Sequence, residues 1–368
     1  MRSFTSTIFL ISLALLGVMI LATGRLSASI ALVTFTSPIT PTRAIISVVS
    51  LSPSLTPTIQ PLTHTHTPTL PNPTATLPPT LPYTLTPTPF PPIPTTSDKP
   101  IGGGTGLLAF VSDRNGNPEL YRMTLDGGGL TRLTFSEAED RSPAFSADGK
   151  QIAFLTTRDG NPDIHLINAD GTGRLALTTD PAYDEFPSWT PDGQWVVFDS
   201  NRTGPFQIYR VPPTGGLPEQ LTNIPADDAD ADWSPIANVI AFESKRESSQ
   251  FQIFSLDLDS FTLTRLTQTI ARNVNPDWSP DGKKILFISE RDGQSELYTM
   301  NADSTDQRRL TFNLGTVRTP HWSPDGQSIL FAATRSGNFD LYLLRADGTD
   351  LRQLTTDPAD DYGPAWQP

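Results

Sequence analysis

The chain contains 368 residues, including 36 prolines and no cysteine, and carries a formal net charge of −13 at pH 7. The lack of cysteine excludes disulfides, thiol chemistry and a lipid-modified N-terminal cysteine. Residues 101–368 hold 38 acidic and 22 basic side chains. Because such an acidic domain repels phosphates and anionic membrane surfaces, nucleic acid is not an expected partner.

Residues 1–30 have the pattern of an export segment. Residues 3–24 contain no charge, follow Arg2 and have an apolar centre from Ile8 to Ala22. This length suits either a cleaved signal peptide or a retained membrane anchor, because a membrane-spanning helix needs about 20 apolar residues. Both alternatives predict export to the cell surface or periplasm, and the second adds contact with the membrane.

Residues 31–104 are predicted to form a disordered stalk. Residues 1–100 contain 17 of the 36 prolines, mostly among threonines. Proline at this density removes backbone donors and favours extended, solvated conformers. The threonines are compatible with O-linked sugar, and an unmodified linker fits the composition equally well.

Residues 105–368 repeat one motif six times, with an aromatic centre every 44 or 45 residues. The centres are Phe145, Trp189, Trp233, Trp278, Trp322 and Trp366. A fixed period of this length indicates a repeat architecture in which neighbouring units bury each other's apolar faces.

Other positions keep the same register. An apolar run ends in a phenylalanine, an arginine follows four residues later, and each unit closes with Leu-Thr. The arginines are Arg114, Arg158, Arg202, Arg246, Arg291 and Arg335. Short β-branched or aromatic runs separated by Asp-Gly turns predict four strands per unit. Four-stranded units of about 40 to 45 residues are the blades of a β-propeller, so we predict an all-β, six-bladed propeller.

The strand count is complete only if the two ends of the repeat region share a blade. The segment around Trp366 supplies an inner strand, whereas residues 107–134 supply three strands without an inner one. We therefore predict that the C-terminal strand pairs with the N-terminal blade and closes the ring without a covalent bond.

The motif P-x-W-S-P-D-G, followed by I-x-F, S-x-R-x-G, I-Y and L-T, resembles the WD40-like repeat of TolB-type propellers over residues 107–368. The resemblance implies a periplasmic or cell-surface protein that binds a protein, peptide or envelope ligand through a propeller face. The repeat also builds propeller domains of certain peptidases, but no G-x-S-x-G elbow occurs in this chain. We expect a non-catalytic binding module without a cofactor; the alternative is a propeller lyase or hydrolase acting on an acidic polysaccharide.

Five residues before each aromatic centre lies the start of an inner strand. These residues are Asp140, Asp184, Asp228, Asn273, Val317 and Asp361. Because the strands of a blade alternate in direction, these residues lie on the same propeller face as the repeated arginines. The two groups form either a ring of charge-assisted hydrogen bonds that ties loops together or a ligand site. Because Asn273 and Val317 break the acidic ring, Arg291 lacks a carboxylate whether each arginine pairs within its blade or with the next.

The ligand-site interpretation predicts a mouth that is basic around the fourth to sixth inner strands. Arg272 and Arg318 add positive charge there to Arg246, Arg291 and Arg335, and a carboxylate or another anion is the expected ligand. A second candidate is a cation site at Asp228, Asp230 and Asp232, whose alternating carboxylates are expected to face one side of a strand. A solvated acidic loop is the other interpretation of these three residues.

Overall fold

The computed structural model describes residues 106–368, so the predicted export segment and stalk lie outside the described residues. Residues 106–368 form six four-stranded antiparallel sheets, as the repeat predicts. None of their segments is a helix long and apolar enough to cross a membrane.

The strands follow one another in chain order within each blade, with the exception of the first blade. Blade I contains β24 (Asp361–Trp366), β1 (Leu107–Ser112), β2 (Glu119–Thr124) and β3 (Thr131–Arg132). Blade II contains β4 (Asp140–Phe145), β5 (Gln151–Thr156), β6 (Asp163–Asn168) and β7 (Leu175–Ala176). Blade III contains β8 (Asp184–Trp189), β9 (Val196–Ser200), β10 (Gln207–Val211) and β11 (Glu219–Gln220).

The remaining three blades repeat this pattern. Blade IV contains β12 (Asp228–Trp233), β13 (Val239–Ser244), β14 (Gln252–Asp257) and β15 (Thr262–Arg265). Blade V contains β16 (Asn273–Trp278), β17 (Lys284–Ser289), β18 (Glu296–Asn301) and β19 (Arg308–Arg309). Blade VI contains β20 (Val317–Trp322), β21 (Ser328–Ala333), β22 (Asp340–Arg345) and β23 (Arg352–Gln353).

The predicted closure of the ring is confirmed. Strand β24 pairs antiparallel with β1, with Leu108 opposite Trp366 and Ser112 opposite Asp361. The pairing continues at one end, where the Gln367 N–H donates to the Leu107 carbonyl at 3.0 Å. This pairing satisfies the edge that β1 would otherwise expose.

The Leu-Thr motif has a structural role in every blade. Each threonine hydroxyl accepts the backbone N–H of the second residue of the third strand, at 2.8–3.0 Å. The threonines are Thr134, Thr178, Thr222, Thr267, Thr311 and Thr355. The hydroxyl therefore supplies the partner that this N–H lacks beyond the end of the short outermost strand.

The apolar core lies between adjacent blades. The repeated phenylalanine within each second strand is fully buried in all six blades. In one interface, Trp278 and Phe287 of blade V pack with Ala241 and Ile253 of blade IV. At the closure, Trp366 packs against Leu330 of blade VI. Each blade thus depends on its neighbour for burial of its apolar surface.

Every inner strand has a bulge at its third residue. The backbone φ there is positive, from 44° to 56°, and the pairing with the second strand shifts register at the same place. The bulge residues are Ser142, Phe186, Asp230, Asn275, Thr319 and Gly363. A left-handed conformation costs about 1–2 kcal/mol for a residue with a Cβ atom. Five of the six bulges therefore persist because the surrounding sheet holds them.

We predict that Trp366→Ala destabilises the propeller by about 3–5 kcal/mol, because it creates a cavity and weakens the closing strand. Trp366 is only 7% exposed, whereas Leu217 is 93% exposed. Leu217→Ala is therefore the control and should change the unfolding free energy by less than about 0.5 kcal/mol. Equilibrium denaturant unfolding measures both; equal stability of the two variants would contradict the structural role of β24.

Candidate binding site in the central channel

The repeated arginines are clamps within the blades. Arg114, Arg202 and Arg246 donate through Nη2 to Asp361, Asp184 and Asp228 at 2.8, 3.0 and 2.6 Å. Each guanidinium also donates through Nε to the serine that ends the second strand, at 2.8–2.9 Å. The cation lies over the aromatic ring of the third strand, for example 4.9 Å from the Tyr209 centroid. Pairing therefore occurs within one blade.

The exceptions in the acidic ring are accommodated locally. Arg291 donates to the Asn273 side-chain oxygen at 3.1 Å and to Gln307 at 2.8 Å, and lies over Tyr298. Asn273 is fully buried. An amide oxygen thus takes the place of the carboxylate that Arg291 lacks.

Blade VI has a valine, Val317, in place of the acid, and it is also buried. Its repeat arginine, Arg335, opposes by its positive charge the rise in the Tyr342 pKa that burial causes. Blade VI nevertheless forms the same four-stranded sheet as the other blades, so the fold does not require an acid at this position.

In blade II the guanidinium that pairs with the buried acid belongs to Arg174, which is not the repeat arginine. Arg174 donates to Asp140 at 3.2 Å and to Thr156 at 2.8 Å. It also donates to His165 Nδ1 at 3.1 Å, and burial, followed by the charge of Arg174, lowers the His165 pKa to about 4. The repeat arginine, Arg158, is exposed. The histidine in place of tyrosine was the sequence signal of this exchange.

These contacts agree with the interpretation of the acids and arginines as charge-assisted hydrogen bonds, and they hold these acids away from the cavity wall. The side chains at the inner-strand starts, including Asp140, Asp184, Asp228 and Asp361, are fully buried inside the blades. The cavity at the mouth is lined instead by the neighbouring residues, because alternation along a strand turns the next side chain inward. Of the ten predicted ligand-binding residues, Arg272 and Arg318 line this cavity.

We predict that Arg202→Ala destabilises the propeller by about 3–5 kcal/mol, because it leaves the buried Asp184 carboxylate without its cation. Arg158→Ala removes the same repeat position where it is exposed, and should change stability by less than about 0.5 kcal/mol. Chemical denaturation of the two variants provides the comparison. A similar loss of stability in both variants would show that the contacts of Arg202 with Asp184 contribute no more to stability than an exposed arginine does.

The larger cavity opens on the face where the inner strands begin and has a volume of about 820 Å³. Its charged wall is divided into sectors. On the side of blades III and IV, five acids accompany one base, Lys245; the acids are Glu185, Asp199, Asp227, Asp230 and Glu243. On the side of blades V and VI, Arg272 and Arg318 accompany one acid, Glu290, and blade II adds Arg141. The mouth therefore has a clear excess of acids on one side and a small excess of bases on the other.

The basic side chains of the cavity wall are engaged at its periphery. Arg272 lies 3.6 Å from Glu290, Lys245 lies 2.9 Å from Asp227, and Arg141 lies 2.8 Å from Glu139. Arg318 is exposed and its guanidinium lies 4.5 Å from the Phe339 ring centroid. Arg318 is thus the cation best placed to meet a ligand at the rim.

A smaller cavity of about 360 Å³ lies nearer the other end of the inner strands, where tryptophans and prolines line it. It contains the pair His321 Nδ1 and Asp277 Oδ1, 2.9 Å apart. Burial opposes the charged imidazole, but the Asp277 charge and hydrogen bond outweigh it and raise the His321 pKa. Five of the six bulge residues line both cavities. The ring of bulges therefore separates the two chambers of the channel.

Buried acids of blades III and IV line one side of the channel: Asp199 and Glu243 line the larger cavity, Asp232 lines the smaller one and Asp230 lines both. Burial raises the pKa of Asp232 to about 8, with Asp277 adding to the effect, and that of Glu243 to about 8, with Asp230 adding to it. Burial raises the pKa of Asp230 to about 6, against the opposing charges of His321 and Arg272. The pKa of Asp199 is also raised, by burial and by Asp230.

The predicted cation site at Asp228, Asp230 and Asp232 is not assembled as the alternation suggested. Asp228 pairs with Arg246 inside the blade, and Asp232 accepts the Trp278 N–H at 2.6 Å. The bulge at Asp230 breaks the alternation, so the three carboxylates do not face one side. In residues 106–368, no group of three or more His, Cys, Asp or Glu side chains is arranged to hold a metal ion.

Sequence reasoning missed Asp199 and Glu243. Both follow the buried phenylalanine of the second strand, where the other blades have Val111, Leu155, Ile288 and Ala332. An acid within an otherwise apolar strand was the available signal, as in VVFDS and IAFES.

We predict that stability falls as pH rises from about 5 to about 8. In this range the folded state holds protons on Asp232 and Glu243 that the unfolded state releases, so the unfolding free energy decreases by up to about 1.4 kcal/mol per pH unit for each proton. Glu243→Gln should flatten this decrease and stabilise the protein most at the alkaline end. Urea unfolding at several pH values measures the slope, with Asp259→Asn in an exposed turn as control. If the unfolding free energy of Glu243→Gln changed with pH as steeply as that of the wild type, Glu243 would not be a source of the pH dependence.

The fold and the channel together define a closed six-bladed β-propeller with a charged axial mouth. Residues 139–255 and 219–318 match the family described as the TolB beta propeller domain. A segment of 51 residues is 41% identical to the Tol-Pal system protein TolB of Geobacter sulfurreducens, although it spans only 14% of this chain and 12% of that protein.

Two solved structures share the fold. TolB from Acinetobacter baumannii has a TM-score of 0.64 at 24% identity, over 72% of this chain and 67% of that chain. A putative TolB from Agrobacterium tumefaciens has a TM-score of 0.57 at 24% identity, over 71% of this chain and 92% of that chain. Residues 107–368 therefore form a six-bladed β-propeller with the fold of these two TolB structures, and residues 139–318 within it match the TolB beta propeller domain.

Proposed function

We propose that this protein is an exported, non-catalytic binding module whose propeller mouth receives a polypeptide of the cell envelope. The observation that carries the proposal is the larger cavity of about 820 Å³, whose wall has an excess of acids on the side of blades III and IV and a small excess of bases on the side of blades V and VI. A mouth of mixed charge selects a ligand by complementary charges, and a polypeptide presents both signs.

The rim of the mouth supports a protein partner. Loops that lead into the inner strands carry exposed Phe135, Tyr183, Ile270 and Phe312, with Ile270 98% exposed. Arg132 and Arg309 lie over the rings of Phe135 and Phe312, at 4.9 and 4.4 Å. Exposed apolar side chains around a polar cavity are typical of protein–protein contact surfaces.

The chemistry of the channel supports binding rather than turnover. Its histidine, His321, is held by Asp277, and four of its acids are linked to backbone N–H groups or an amide, namely Asp199, Asp230, Asp232 and Glu243. These contacts fix the carboxyl groups as parts of the wall, whereas a general acid or base must reach the substrate.

An envelope location is supported by the N-terminal export pattern and by the segment shared with a Tol-Pal system protein. The Thr/Pro-rich residues 31–104 would separate the propeller from the membrane if the N-terminal segment is retained as an anchor. The proposed partner is therefore an envelope protein or a peptide segment of one.

We expect Arg318→Glu to reduce recovery of the partner in affinity capture from the envelope fraction about tenfold, because a single interfacial charge contributes on the order of 1.4 kcal/mol. Arg308→Glu makes the same charge change on the exposed outermost strand β19 and should capture as the wild type does. Quantitative mass spectrometry of the captured proteins compares the three.

Two results would contradict the proposal. One is equal capture by wild type and Arg318→Glu across all retained proteins. The other is the appearance of unsaturated products when the purified protein is incubated with uronic-acid polymers, which would favour the alternative of a polysaccharide lyase.

A further inference from the structure

We propose that Asp199, Asp230 and Glu243 form a pocket for a primary ammonium group on the acidic side of the larger cavity. The inference rests on the proposed function, because the ammonium would belong to a lysine side chain or to the N-terminus of the polypeptide in the mouth. An ammonium offers three donors and no acceptor, which suits a site built from carboxyl oxygens.

The three carboxyl groups are brought together by two successive bulges. Asp199 Oδ2 accepts the N–H of Asp230 at 2.8 Å, and Glu243 Oε2 accepts the N–H of Asn275 at 3.0 Å. The Asn275 amide in turn donates to Asp230 Oδ2. Each acid is therefore held by the bulge of the next blade, and the three form one connected group.

One oxygen of this group has no partner. Asp199 is 1% exposed and lines the cavity, yet its Oδ1 atom is buried without a hydrogen bond. A buried acceptor without a partner costs free energy that a donor from a ligand would recover. Asp199 Oδ1 thus marks the place where a donor is missing.

The protein's own cations at this wall are engaged elsewhere. Lys245 pairs with Asp227 and lies over Phe251, and Arg272 pairs with Glu290. Their charges, with that of His321, act on the cluster from a distance, while Glu185 adds negative charge. The acidic cluster is therefore open to a cation from outside the protein.

The cluster is a particular feature of blades III and IV. The equivalent second-strand positions in the other blades are apolar, namely Val111, Leu155, Ile288 and Ala332. The propeller fold therefore does not require an acid at this place.

A metal ion is a poorer fit than an ammonium. A hard cation such as calcium takes six to eight oxygen ligands, whereas Asp199 and Glu243 each commit an oxygen to a backbone N–H. Burial also raises the pKa of Glu243 to about 8, so binding of an ammonium should release protons to the buffer.

The test is calorimetric titration of the full chain with N-acetyl-lysine amide at about pH 8.5, where the lysine amine keeps its proton. N-acetyl-norleucine amide is the uncharged match and should bind at least about tenfold more weakly. Glycinamide, titrated at about pH 7.5 because an α-amino group loses its proton near pH 8, shows whether an N-terminal amine or a lysine side chain is preferred. Repeating the titration in buffers of different ionisation enthalpy measures the released protons.

Asp199→Asn and Glu243→Gln keep an oxygen for the backbone N–H but remove the charge, so each should weaken lysine-amide binding about tenfold. Asp259→Asn, in the exposed turn after β14, is the matched control and should bind as the wild type does. Thermal unfolding of each variant checks that the fold is kept.

Equal binding of the lysine and norleucine probes, or full binding by Asp199→Asn and Glu243→Gln, would overturn the inference. Displacement of the lysine probe by calcium alone, with calcium the tighter ligand, would overturn it in favour of a metal site. Loss of capture by Arg318→Glu without any binding of the amines would leave the proposed function intact and reject the ammonium pocket. Amine binding with unaltered capture by Arg318→Glu would support the ammonium pocket and reject the proposed function.

Discussion

The antiparallel pairing of β24 with β1 is the contact on which the rest of the structure depends. It completes blade I and thereby places every blade between two neighbours, so that the apolar faces of all six sheets are covered. The chain contains no cysteine, so the ring is held by backbone hydrogen bonds and by the packing of Trp366 against blade VI. An axial channel with two ends exists only because this contact closes the circle.

The bulges of the inner strands convert this closed ring into a site. Each bulge inserts a left-handed residue at the same depth of the channel, and the ring of these residues separates a wide charged chamber from a narrow one lined by tryptophan and proline. The bulge N–H groups of Asp230 and Asn275 are taken up by Asp199 and Glu243 of the preceding blades. Backbone geometry and buried charge are therefore coupled at the place where a ligand would enter.

Two sets of charged residues have different roles in this molecule. In blades I, III, IV and V the repeated arginine is enclosed by an acid or amide, a serine and an aromatic ring, and it connects a mouth loop to its blade. The charges that face the cavity come from positions that vary between blades, such as Arg318 and Glu243. Regular positions stabilise the ring, and irregular ones give the mouth its asymmetry.

The sequence by itself determined the six blades, their four strands and the closure of the ring. The repeat period and the Trp, Phe and Leu-Thr positions are local signals, and a half unit at each end permits one solution. Only the tertiary structure decided which charges reach the channel. Alternation turns Asp140 and Asp228 into the blade and a bulge reverses the alternation after Asp230, so spacing alone could not decide between hydrogen-bonded acids inside the blades and acids that face the channel. The acidic cluster of Asp199, Asp230 and Glu243 joins residues of two blades and depends on a third, and such contacts arise from the packing of neighbouring blades rather than from any local pattern.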